Sequence, residues 1–192
     1  VILFFKGHVD GYTRRDGTSV RPHFRRADQF AEKAHAGQTR GNGKTPYITH
    51  PRAVVAILHD AGITDEAMLQ AALLHDTIED CGVTHAHLVA EFGHDVADLV
   101  AELTNDPAVP YAGKTAAQAT KARTMSARAA AVKIADKAAN LRDILSDPPN
   151  WSTERKRKYF ADARQVVQAM GTQHPVLVDI FEQIYNKGVA QL

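Results

Sequence analysis

The chain has 192 residues, 44% of them hydrophobic and 23% charged, with a formal net charge of +1. That length accommodates one domain with a substantial core, and the near-neutral charge argues against a surface built to coat nucleic acid. A single cysteine, Cys81, excludes an intrachain disulfide, and no apolar run approaches the ~20 residues of a membrane span.

The charge is unevenly spread. Residues 1–26 carry six basic side chains against two acidic ones, and the remainder carries 17 against 20. In this N-terminal extension, residues 1–25, two short β-prone runs flank Asp16-Gly17, which is a hairpin signal. It reads as a structural hairpin packed on the body, or as a basic arm for a partner. Val1 to Phe5 is apolar but too short for a signal-peptide core, and the lone cysteine suits a reducing compartment, so a cytoplasmic protein is expected.

Residues 26–192 read as one all-α domain. Phe24, Ala27, Phe30, Ala31 and Ala34 follow helical spacing and predict a first helix near 25–36, ended by Gly37. The segment 38–46 is a loop by its Gly and Pro content. Pro51 suits the first turn of a second helix, which carries Val54, Val55, Ile57 and Leu58 and stops at Gly62. Thr64 is placed to cap a third helix running to about Gly82. Thr84 caps a short helix to Phe92, and another runs from His94 to about Leu103. Residues 105–124 read as a loop or mobile helical segment, a usual place for a lid. Ser126 opens a long helix ended by Asp147-Pro148-Pro149; Ser152 or Thr153 caps the next, to Gly171; a last helix spans 176–186.

The third predicted helix carries the unusual text. Ala71, Ala72, Leu73 and Leu74 imply burial on several sides, and His75, Asp76, Glu79 and Asp80 follow at once. His75 and Glu79 are one turn apart, as are Asp76 and Asp80. Two other places put ligand-type residues where apolar ones are expected: His50 at the mouth of the second helix, and Asp136 in an apolar stretch of the long helix, with Asn140 one turn on. Taken singly, each has a plainer reading as a capping residue or a solvated face. His59, His85, His87, His94 and His174 read as surface residues. Together, two imidazoles and two carboxylates suit Mn²⁺, Fe²⁺ or Zn²⁺ better than Ca²⁺, which prefers oxygen alone. Such an ion lowers the pKa of a bound water. Glu79 and Asp80, one turn beyond the ligand pair, are placed to hold and deprotonate that water.

The ordered set of segments is a resemblance to a known family: His35-Ala-Gly-Gln-Thr-Arg40, Pro46-Tyr47-Ile48-Thr49-His50-Pro51, Ala71 through Asp80, Phe92-Gly93, and Val132 through Arg142. It resembles the HD-domain (p)ppGpp hydrolases, the hydrolase half of the RelA/SpoT enzymes. Among them it is most similar to the stand-alone small alarmone hydrolases of the metazoan SpoT homologue type. The resemblance implies an all-α HD-domain helical bundle with one Mn²⁺ held by His50, His75, Asp76 and Asp136. It implies Glu79 and Asp80 as the catalytic pair, and Arg40, Asn140, Arg155 and Tyr159 as substrate contacts. Where the small hydrolases place a phosphate-binding Lys, this sequence has Tyr111, with Lys114 one turn away; the loop after Arg40 offers Lys44. The implied reaction removes the 3′-pyrophosphate of ppGpp or pppGpp, giving GDP or GTP. Two alternatives are a 2′-phosphatase of NADPH and a non-catalytic nucleotide-sensing or interaction module. The partner expected is a small-molecule nucleotide, with no nucleic acid and no membrane; a homo-oligomer is left open.

Overall fold

The computed structural model describes residues 21–171 and 173–192. Among the described residues, ten α-helices follow in order: α1 (Arg21–Ala34), α2 (Thr49–Asp60), α3 (Glu66–Leu74), α4 (Thr77–Cys81), α5 (His85–Phe92), α6 (His94–Leu103), α7 (Lys114–Ala122), α8 (Ala127–Ser146), α9 (Thr153–Ala169) and α10 (Pro175–Gln191). Among the described residues there is no strand, only an isolated bridge between Thr39 and Pro46 that pinches the loop after α1. The hairpin expected within residues 1–20 lies outside the described residues.

The long helix α8 is the centre of the bundle. It packs against α2 on one side and α10 on another, with α3, α6 and α9 also touching it. Its alanines at 129, 130, 131, 135, 138 and 139 are fully or almost fully buried. Small side chains let several helix backbones approach one axis closely, which is why an alanine-rich stretch with high helix propensity serves as the core. Ser126 caps it as expected, accepting from the Ala129 amide. Among the described residues no helix is long and apolar enough to cross a membrane.

Several expected boundaries and one cap differ in the structure. The first helix begins at Arg21 and ends at Ala34, and the last runs through Gln191. The third helix is capped by Asp65, whose carboxylate accepts from Met68 N, rather than by Thr64. That helix also does not run to Gly82. It stops at Leu74 and a separate turn, α4, begins at Thr77. The break has a local cause: His75 Nδ1 lies 2.8 Å from the Ala72 carbonyl, and Thr77 Oγ1 donates to the Leu74 carbonyl at 2.7 Å. Side chains thus satisfy carbonyls that a continuing helix would have used. Gly82 then closes α4 in the left-handed conformation, at φ 68°. Finally, residues 105–124 hold a single 3₁₀ turn (Tyr111–Gly113) and the helix α7, which packs on α9. Its buried face is Ala119 and Ala122, too short an apolar signal to distinguish from a loop in sequence.

Gly188 in α10 marks the tightest contact between α9 and α10. A Cβ there would lie 2.0 Å from Cε1 of Phe160, which is 1% exposed. Alanine is normally favoured over glycine inside a helix by about 1 kcal/mol. Here the sign reverses: Gly188→Ala is expected to destabilise by about 1–3 kcal/mol through overpacking, read as a lower midpoint in urea denaturation. An unchanged or raised midpoint would mean that α10 moves outward at no cost.

Candidate functional site

The break between α3 and α4 places the doublet of the motif beside His50 of α2 and Asp136 of α8. His75, at the end of α3, and His50, in the first turn of α2, are buried to 2% and 1% exposure, with ring centroids 5.2 Å apart. Asp76 follows in the break, and Asp136 reaches in from the middle of α8, so three segments distant in sequence converge. One ligand-type atom from each of His50, His75 and Asp76 lies within 4.8 Å of the others. Asp136 Oδ1 lies 3.2 Å from His50 Nε2 and 3.7 Å from His75 Nε2. All four residues expected as ligands are thereby brought together.

The donor set fits a divalent cation. The Ala72 carbonyl facing His75 Nδ1 requires the proton on that nitrogen, which leaves the Nε2 lone pair turned inward. His75 Nε2 is buried without a hydrogen-bond partner, although Asp76 Oδ2 lies 2.9 Å away off the bonding direction. A lone pair against carboxylate oxygens is unfavourable unless something positive lies between them. The electrostatics favour a positive charge at this place. Burial works against a charged His75, yet Asp76 and Asp136 outweigh it and push its pKa up to about 10. Burial also opposes the charged form of Asp136, but Lys133 and the two imidazoles hold its carboxyl well below the usual range. His50, by contrast, is driven down by burial, with Arg40 and His75 adding to it.

Glu79 and Asp80 lie one turn further, exposed at the rim of the cleft. Each has a neutral polar side chain beside it. Asn105 donates to Glu79 Oε2 from its side chain at 2.8 Å and its backbone at 3.2 Å. Tyr47 Oη lies 3.2 Å from Asp80 Oδ2. Lys114 stands 3.7 Å from Glu79 Oε1, so the cation expected on the substrate side lies beside this carboxylate.

The other expected contacts divide. Arg40 and Asn140 meet. The Arg40 guanidinium donates to Asn140 Oδ1 at 2.6 Å and to Asp143 Oδ2 at 2.8 Å, and stands over the Tyr47 ring. Asn140 donates in turn to Asp136 Oδ1 at 2.7 Å, so both ends of its amide are used. Arg40, Asn140 and Tyr159 line a cavity of about 260 Å³ with Thr45, Pro149 and Trp151. Arg155 is exposed and stacks on Trp151 at 4.2 Å instead of lining that cavity, and Lys44 is exposed on its loop.

Several residues were not anticipated. Lys133 Nζ lies 3.2 Å and Lys137 Nζ 4.0 Å from Asp136 Oδ2, and both lysines are buried. Burial, then Lys133, lowers the Lys137 pKa to about 8. His35 is 3% exposed, stacked on Tyr47 at 4.4 Å. The surface reading of His85, His87 and His94 agrees with their exposure, while His59 and His174 are half-buried. The i,i+3 spacing of Lys133 and Asp136 is a signal that could have been read from sequence, whereas the adjacent Lys137 has no such spacing.

A conserved-pattern model described as HD domain matches residues 27–174. The chain therefore belongs to the HD-domain family. Within that family it is a hydrolase of the group formed by its relatives. It is 40% identical over 168 residues to the guanosine-3′,5′-bis(diphosphate) 3′-pyrophosphohydrolase MESH1 of Xenopus tropicalis, covering 85% of this chain and 94% of that one. With the Homo sapiens protein of the same name it shares 40% over 164 residues, covering 84% and 92%. A solved structure described as a metazoan ortholog of SpoT that hydrolyzes ppGpp superimposes with a TM-score of 0.82 at 36% identity, covering 86% of this chain and 95% of that chain.

Proposed function

We propose that this chain removes the 3′-pyrophosphate of ppGpp or pppGpp in a reaction that depends on Mn²⁺. The observation that carries the reading is the convergence of two buried imidazoles and two carboxylates with a second carboxylate pair one turn away, in a chain 40% identical to relatives named for that activity. His50, His75, Asp76 and Asp136 would hold the ion. When bound, it supplies a water of lowered pKa and neutralises charge developing on the phosphoryl group.

The chain's own residues do the rest. Glu79 and Asp80 accept the proton of the attacking water and orient it, being outside the ligand set and open to the cleft. Burial, then Asp76 and Glu79, raise the Asp80 carboxyl toward the range of a useful base. Arg40, fixed edge-on by Asn140 and Asp143, offers a rigid planar face in the cavity where a purine base stacks. Lys114 balances the anionic phosphates. Phosphoryl transfer relies on such positioning and charge neutralisation. This reading takes residues 26–192 as the functional domain and the nucleotide as its small-molecule partner.

The test is a substrate panel of ppGpp, pppGpp and NADPH with product identification, run with Mn²⁺ and with chelator. Pyrophosphate and GDP from ppGpp, only in the presence of metal, is the expected result. Metal-replete protein that leaves ppGpp intact while releasing phosphate from NADPH would move the assignment to the 2′-phosphatase reading.

A further inference from the structure

Asp76 occupies a position where an aspartate ordinarily does something else. It is the N-cap residue of α4, and a capping carboxylate normally accepts from amides of the first helical turn. Its backbone is right-handed helical there (φ −99°, ψ −2°), so its carboxylate is not presented to those amides and makes no such bond. The Tyr47 hydroxyl donates to Asp76 Oδ2 at 2.6 Å. The same oxygen of Tyr47 lies 3.2 Å from Asp80 Oδ2. One phenol therefore spans the ligand set and the catalytic pair, which belong to the two sides of the α3–α4 break.

Tyr47 is itself tightly fixed. Its ring stacks on His35 with an interplanar angle of 21°, meets His50 edge-on at 6.0 Å, and has Arg40 on it at 5.2 Å. Its amide donates to the Gln38 carbonyl at 3.0 Å. The backing is fixed in turn: His35 Nδ1 is 2.8 Å from Gln38 Oε1, and Gln38 Nε2 donates to the Asp80 carbonyl at 3.1 Å. His35, Gln38 and Tyr47, all in the loop after α1, thus form a brace that meets α4 at the Asp80 carbonyl and at the Asp80 carboxylate.

We infer that Tyr47 is a positioning residue that fixes Asp76, beside Asp80, in the geometry that metal binding and hydrolysis require. The inference rests on the proposed metal-dependent hydrolysis and adds to it a residue not among the ligands, the catalytic pair or the substrate contacts.

The decisive variant is Tyr47→Phe, which keeps the ring and its stacking and removes only the hydroxyl. Asp76 then loses the donor that orients its carboxylate. Mn²⁺ affinity, read from the free-ion EPR signal during titration without nucleotide, is expected to fall about 10- to 100-fold, the usual effect of losing a group that orients a ligand. At saturating Mn²⁺, kcat falls while KM for ppGpp holds, and the thermal midpoint in chelator is unchanged because the ring keeps its stacking on His35. A residue that merely supported the fold would give the opposite pattern, a lower midpoint in chelator with unaltered Mn²⁺ affinity. That result overturns the inference, as does a wild-type protein that binds no Mn²⁺. Wild-type protein that binds Mn²⁺ but leaves ppGpp intact would sink the substrate assignment alone, and the EPR comparison would still decide the role of Tyr47.

Discussion

Glu79→Gln combined with Asp80→Asn is expected to lower kcat for ppGpp by about 10²- to 10⁴-fold, the contribution typical of a positioned general base, while Mn²⁺ binding is retained. Both side chains are exposed at the rim of the cleft and neither belongs to the set of atoms converging around the two imidazoles. The isosteric amides keep the volume and the ability to contact Asn105 and Tyr47, but they cannot take a proton from water near neutral pH. Because the replaced groups are exposed, stability should change by no more than about 0.5 kcal/mol. Steady-state kinetics with a parallel EPR titration check both halves of the expectation. Full activity in the double variant would move the proton acceptor elsewhere in the cleft. A protein that bound nucleotide and metal yet turned nothing over even as wild type would favour the sensing module, for which an intact carboxylate pair has no use.

The parts of this molecule legible in sequence are those with a strong local pattern. The long helix α8 announced itself through its apolar period, its Ser126 cap and the Asp-Pro-Pro stop, all present in the structure. The four candidate ligands were legible as polar interruptions of apolar text, and the structure draws them together. The break at His75-Asp76 was not legible. It depends on two side chains reaching back to the carbonyls of Ala72 and Leu74, a competition that helical spacing cannot reveal. Nor were Tyr47, His35 and Asn105 visible as parts of the site. Each acts through hydrogen bonds or stacking contacts with residues some 12 to 33 positions away in the chain. The expected roles of Arg155 and Lys44 came from resemblance alone. In the structure Arg155 leans on Trp151 and Lys44 stays in solvent, so the cavity is bounded instead by Trp151, Tyr159 and the loop from Arg40 to Thr45.

Asp136→Ala is expected to abolish Mn²⁺ binding and hydrolysis and, separately, to destabilise the fold by about 3–5 kcal/mol, the range seen when one partner of a buried ion pair is removed. Asp136 serves two groups at once. Its Oδ1 faces His50 and accepts from Asn140, and its Oδ2 faces Lys133 and Lys137. Removing it leaves both buried ammonium groups without that anion in the middle of the central helix. Asp76→Ala makes the contrast. It should also lose the metal, but Asp76 is half-buried at the break between helices, so its loss strands no lysine and should cost markedly less stability. Urea denaturation in chelator measures the fold alone, and EPR titration measures the metal alone. The two functions of Asp136 then separate in a third protein. Adding Lys133→Met to Asp136→Ala replaces a stranded cation with an apolar side chain of similar length, which for buried pairs is often neutral. The double variant should recover part of the lost stability and none of the metal affinity. If it instead remained as unstable as Asp136→Ala, the cost would reside in the imidazole and Asn140 side of the carboxylate, and the lysines would be bystanders.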